Sequence, residues 1–207
     1  MSDITTQVSS SINALAEEFN IITHNLANVS TTGYKRICNT FSQSLMDQMN
    51  SEQAEPSGDV ISNITLDFSQ GNIVETARPL DFALYGKGFF VIETPDGPLY
   101  TRNGTFRLNQ NGQIVDGEGR IVAGQAGPIT VPPNTGLSQL AVSSNGSISA
   151  AGVVIGKFKL VDFQENQDQL ESAGKSCFFM QDEDITTASA ENIVVKQGYQ
   201  EASNVKK

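Results

Sequence analysis

Pro95–Arg120 reads PDGPLYTRNGTFRLNQNGQIVDGEGR, and its punctuation decides the fold class. Asp96-Gly97, Asn103-Gly104, Asn111-Gly112 and Asp116-Gly117 recur at intervals of five to eight residues. Asn-Gly and Asp-Gly suit tight type I′ turns, in which both central residues need positive φ, so the interval predicts short antiparallel strands in a meander. On the N-terminal side, NITLDF (63–68) alternates and GFFVIET (88–94) is a compact aromatic and β-branched run. On the C-terminal side, another turn signal at Asn145-Gly146 precedes VVIGKFKLVDF (153–163), and NIVVKQG (192–198) predicts a last strand returning to the start of the β region. Absent tryptophan and abundant Gly, Asn, Ser and Thr fit this architecture better than a helical bundle.

The N-terminal region has a different period. Val8, Ile12, Leu15, Phe19, Ile22, Leu26 and Val29 are spaced alternately by four and three residues, a heptad seam running roughly 33 Å at about 1.5 Å per residue. Between Asp3 and Lys35 the only charges are Glu17 and Glu18. Ser9, Ser11, Ala16, Thr23 and Asn25 flank the seam where a two-stranded coiled coil carries Glu and Lys pairs. So little charge all round the helix points to more than one neighbouring helix. Between the two regions, FSQSLMDQMNSE (41–52) spaces Phe41, Leu45 and Met49 as a short helix would, and Pro56 and Gly58 break that pattern.

The fold class is therefore mainly β with an N-terminal α-helix: an antiparallel meander forming a sandwich or partly closed barrel, plus a coiled-coil-type segment. Expected boundaries are a helical core segment over 1–33, a linker or short helical arm over 34–60, a β-rich domain over 61–200, and the start of a helix over 201–207.

Composition narrows the function. With 13 Lys+Arg against 23 Asp+Glu the formal charge is −10, opposite to what phosphate neutralisation needs, so no nucleic-acid partner is expected. No Lys or Arg precedes Lys35 and no apolar run is long enough for a secretory core or membrane span, so neither a cleaved signal nor membrane insertion is expected. Cys38 and Cys177 belong to no close pair and read as free thiols. A catalytic site would need His24, the only histidine, with or without Cys38, and no third group accompanies them. YGKGFF (85–90) enters a strand rather than a helix and is no phosphate loop, and Asp182–Asp184 lacks calcium-loop spacing. No catalytic residue, metal or cofactor is expected.

NLANVSTTGYKR (25–36) resembles the signature near the N-terminus of bacterial flagellar axial proteins, those of the rod and hook. Asn25, Leu26, Asn28, Thr32, Gly33 and Tyr34 carry this likeness, with Gly33 expected to supply the left-handed stop of the helix. Gly71–Gly124 is similar to the β core of the same family through Leu80, Asp81, Gly86, Gly88, Phe89, Phe90, Arg102, Asn103 and Gly104. VVKQGYQEASNV (194–205) resembles the segment leading into the family's C-terminal helix.

The resemblance implies a non-enzymatic, self-assembling subunit of a helical tube that transmits torque. Its partners would be copies of itself, other flagellar axial proteins and the export apparatus, and its location the basal body crossing the periplasm, reached without signal cleavage. A missing large outer domain favours rod over hook, and the short link between helix and β core favours the proximal over the distal rod. The family's C-terminal helix would continue well beyond Val205, so the seam's partner within the chain is expected to be missing. The alternatives are a hook-type subunit and a β-rich adhesin or binding module with an oligomerising helix.

Overall fold

The computed structural model describes residues 2–41, 62–164, 166–181, 188–189 and 193–206. One helix, α1 (Ser2–Ala27), precedes the strands. It ends before Gly33: the amides of Asn28 and Val29 bond the carbonyls of Asn25 and Leu26, and the Asn28 side chain takes the His24 carbonyl at 2.9 Å. These contacts satisfy carbonyls that a helix end leaves open, so the stop comes from Asn28 and the turn behind it. The expected stop at Gly33 is corrected accordingly.

Residues 34–60 contain a strand where a linker or helical arm was expected. Arg36–Phe41 pairs antiparallel with Ser62–Asp67 in a two-stranded arm. The helix expected over 41–52 and the acidic loop at 182–184 lie outside the described residues, apart from Phe41, which ends the first strand of the arm. Ala202–Lys206 forms no helical turn, because the Ala202 amide bonds the Asn72 carbonyl and the Asn204 side chain bonds the carbonyls of Asp67 and Ser69.

The β region is mainly antiparallel and, among the described residues, divides into several sheets with none closed into a barrel. In the largest, Phe89–Thr94 pairs with Gly97–Thr101, Ile121–Gly124 and Leu160–Asp162. The hairpin Leu170–Gly174/Cys177–Met180 extends this sheet from Gly97–Thr101. Asp81–Tyr85 lies between Val194–Gln197 and Gly104–Thr105, which confirms the returning strand. Leu140–Val142, Ser147–Ala150 and Val153–Lys157 form a third sheet, and Ile73–Glu75 pairs with Tyr199–Glu201.

Two cores explain the apolar run at 88–94. Successive side chains of a strand point to opposite faces. Phe90 and Ile92 face a cluster with Phe82, Phe106 and Phe158, whereas Phe89 and Val91 face another with Tyr100, Phe163 and Phe178. A strand buried on both faces has no polar side to show.

The turns differ in kind from those expected. In Asn109–Gly112, Asp116–Gly119 and Ser143–Gly146 the glycine amide bonds the carbonyl three residues back, and only the glycine has positive φ. This is a type I turn followed by a left-handed glycine. Between Thr94 and Gly97 the turn residues are Pro95 and Asp96, and Gly97 follows at φ +119°. Two-residue turns with both φ positive do occur, at Ala151-Gly152 and Lys175-Ser176. Asn103-Gly104 is no hairpin turn; the chain there passes to a different sheet, and a Cβ on Gly104 would lie 1.9 Å from the Phe82 carbonyl oxygen.

Candidate assembly surface and its junction with the β domain

Apolar residues at heptad spacing place one continuous stripe along α1, and that stripe is open. Val8, Ile12, Leu15, Phe19, Ile22 and Leu26 are each between 53% and 68% exposed, while Val29, beyond the helix end, is half-buried. Full burial of such a side chain contributes about 1.5–3 kcal/mol, so roughly 5–11 kcal/mol of apolar burial is unrealised on these six.

The last turn of α1 is held on a different side, by polar groups. Asn25 is buried and stands in for a strand partner: its Nδ2 donates to the Ile37 carbonyl at 2.8 Å and its Oδ1 accepts the Ile37 amide at 2.9 Å. That Oδ1 also accepts the Tyr34 hydroxyl at 2.9 Å. The hydroxyl proton being committed there, the Tyr34 oxygen accepts from His24 Nδ1, also at 2.9 Å. His24 is exposed and at the same time fastened to its own chain through Tyr34. Burial raises the Tyr34 pKa. Asn25 and Asn28 lie off the seam, and each side-chain amide donates to a carbonyl of its own chain, Ile37 and His24 respectively.

Gly33 shows why the signature needs glycine. Its φ is +68°, and a Cβ built there would lie 2.5 and 2.7 Å from the Asn103 amide nitrogen and Cα and 2.8 Å from the Arg102 carbonyl carbon. Backbone passes over backbone at this point. The Gly33 amide donates to the Glu201 carbonyl at 2.7 Å, and the Thr32 hydroxyl reaches Gln200 Oε1 at 3.4 Å.

Beneath this crossing lies a buried charge cluster that the sequence reading did not assemble. Glu201 is fully buried; its Oε1 accepts Lys35 Nζ at 2.7 Å and the Gly71 amide at 3.0 Å, and its Oε2 accepts Arg102 Nε at 2.9 Å. Lys35 also donates to the Ser69 carbonyl at 2.7 Å, and Arg102 Nη1 to the carbonyls of Gly86 and Gly88 at 2.8 and 2.6 Å. Two cations share one carboxylate. Burial lowers the pKa of both Lys35 and Arg102, and Glu201 opposes the fall in each.

The β-core residues surround this cluster. Leu80 and Phe90 fill one core and Phe89 the other, while buried Asp81 accepts Gln200 Nε2 at 2.8 Å. Gly86 and Gly88 supply carbonyls to Arg102, and Asn103 Oδ1 accepts the Thr105 amide. Three residues went unremarked in the sequence. Lys35 and Glu201 complete the cluster, and Asn204 Oδ1 accepts the Arg36 amide at 2.7 Å. The available signal was their position inside the two terminal motifs. Cys38 is partly buried and Cys177 is buried, both as free thiols. Among the described residues no group of three or more His, Cys, Asp and Glu is arranged to hold a metal ion, and no helix is long and apolar enough to cross a membrane.

A helix with an open apolar stripe, clamped by hydrogen bonds and buried charge to a β domain, has the build of a structural subunit. Comparison with known proteins gives the lineage. A family model described as "Flagella basal body rod protein" matches residues 9–35, and one described as "Flagellar hook protein FlgE/F/G D1 domain" matches residues 83–150. The flagellar basal-body rod protein FlgG of Buchnera aphidicola subsp. Acyrthosiphon pisum is 35% identical over 217 residues, covering 90% of this chain and 79% of its own length. FlgF of Salmonella typhimurium is 31% identical over 194 residues (88% and 75%), and FlgG of Bacillus subtilis 31% over 213 (91% and 79%). The chain belongs to the flagellar basal-body rod protein family, FlgF/FlgG, and is a non-enzymatic structural subunit of the rod. FlgF and FlgG relatives match at similar identity, so the comparisons identify the family without choosing between its two branches.

Proposed function

We propose that the stripe Val8, Ile12, Leu15, Phe19, Ile22, Leu26 and Val29 is the surface through which this subunit packs against copies of itself and other axial proteins, as the inner layer of a torque-transmitting helical tube. The β-rich residues of the 61–200 region form its outer layer. The carrying observation is the exposure of six large apolar side chains on a helix whose last turn is held to the rest of the chain by polar groups on another side. Family membership supports assembly with other axial proteins. By the same reading the chain travels through the flagellar export apparatus with its N-terminal region retained.

The test is negative-stain imaging of concentrated protein, alone and mixed with other axial subunits, beside a Leu15→Asp/Phe19→Asp variant. The parent forms rods or tubes and the variant stays monomeric with unchanged folding, because neither side chain is buried in the monomer. Persistent monomers of the parent, or tubes from the variant, refute the proposal.

A further inference from the structure

Glu201 gathers chain segments that lie far apart in sequence: Gly33 and Lys35, Gly71, Arg102, and Ile73 as its own strand partner. The two cations it serves are unequal. Arg102 keeps the Gly86 and Gly88 carbonyls without Glu201, whereas Lys35 keeps the Ser69 carbonyl and the weaker pull of the Asp67 carboxylate. A buried ammonium with one carbonyl acceptor is far from compensated, and its remedy is to swing into water. Lys35 sits between the Gly33 crossing and the Arg36–Phe41 strand.

We propose that Glu201 is the clasp of the helix–sheet junction: seating its carboxylate between Lys35 and Arg102 closes residues 28–37 onto the β domain and thereby fixes the base of α1. Because 166 residues separate Lys35 from Glu201, a chain made from its N-terminus holds the junction open until that segment arrives. The clasp is a property of the single subunit and stands or falls separately from the assembly surface.

Hydrogen exchange on the full chain tests it through three amides at the junction and two in the β core. Gly33, Arg36 and Ile37 donate to the Glu201 carbonyl, Asn204 and Asn25, while Ile114 and Phe158 donate to Ile129 and Gly146. In Glu201→Gln, protection at the first three falls on the order of 10²–10³-fold, as expected for a buried charge losing its partner, while Ile114 and Phe158 keep theirs. Adding Lys35→Met removes the uncompensated ammonium and restores junction protection by at least about tenfold. Unchanged protection in Glu201→Gln, equal loss at Ile114 and Phe158, or no rescue by Lys35→Met overturns the clasp. Should Glu201→Gln alone not fold, the double variant decides: a folded protein with a protected junction supports the proposal, and an unfolded one overturns it.

Discussion

Three glycines separate backbone strain from steric exclusion, and their alanine variants form an internal control. Gly119 has φ +85° and nothing within 4 Å of a built Cβ, so Gly119→Ala meets only the left-handed penalty, about 1–2 kcal/mol. Gly104 has no positive φ, but its Cβ would lie 1.9 Å from the Phe82 carbonyl oxygen, so Gly104→Ala meets only the clash, about 1–3 kcal/mol for forced overpacking. Gly33 combines both: φ +68° and three backbone atoms within 2.8 Å. None of these is the end of a flexible side chain, so relief means lifting the turn and stretching the 2.7 Å bond from the Gly33 amide to Glu201. Gly33→Ala is therefore expected to cost about 2–5 kcal/mol. At roughly 2–4 °C per kcal/mol for a chain of this size, Tm falls by about 4–20 °C. Urea unfolding of the three variants, with Gly33→Asn as a fourth, is the assay. Asparagine tolerates the left-handed region but carries the same Cβ, so it recovers at most the strain. Gly33→Ala costing no more than Gly119→Ala, or Gly33→Asn matching the parent, refutes the close-approach argument.

Asn25→Leu keeps the branching but strands the Ile37 amide and carbonyl and takes the Tyr34 hydroxyl's acceptor, and is expected to destabilise by about 2–4 kcal/mol in urea unfolding. Ser176→Gly is expected to stabilise by about 0.5–1 kcal/mol by the same measurement, since Ser176 holds φ +56° and its buried hydroxyl has no partner. Acid opens the two-stranded arm early: burial pushes the Asp67 carboxyl up, but the Ser69 hydroxyl and amide and the Arg36 guanidinium together hold it below the ordinary carboxylate range. A lowered folded-state pKa means stability that is present above the ordinary range and lost as pH falls through the folded value, so Arg36–Phe41 amides should lose protection below about pH 4 in the parent, and Asp67→Asn should show no such step.

The seam was legible because periodicity survives any environment: Val8 to Val29 keep their spacing whether covered or bare. The run Phe89–Ile92 was legible for the same reason, since burial on both faces leaves an unbroken apolar word. Turn positions were readable and turn types were not. A glycine after Asn is equally at home as the second residue of a two-residue turn and as the left-handed residue closing a longer one, as at Asn109–Gly112. Both two-residue turns of the first kind, Ala151-Gly152 and Lys175-Ser176, lack the Asn or Asp that marks them. Gly104 is glycine because of a carbonyl on a neighbouring strand, and Lys35 and Glu201 look like ordinary surface charges until the chain brings them together. Reasons that lie across the fold leave no local trace.

The chemistry of the junction follows from what the helix must leave free. α1 is 26 residues long, about 39 Å at 1.5 Å per residue, and its described attachments to the β domain cluster around Asn25 and the turn behind it. Apolar packing at such a base would compete with the seam for the same kinds of side chain and would hold direction poorly, because apolar contact is non-directional. Asn25, Gly33 and Lys35 use directional bonds instead, each with at least one to backbone, and the buried cluster punishes any displacement that separates Lys35 from Glu201. A helix fixed at one end by geometry-specific bonds keeps a set direction while the stripe from Val8 to Leu26 stays open. That division fits a chain with net charge −10 that concentrates two of its cations, Lys35 and Arg102, in one buried spot behind the helix, away from the open stripe.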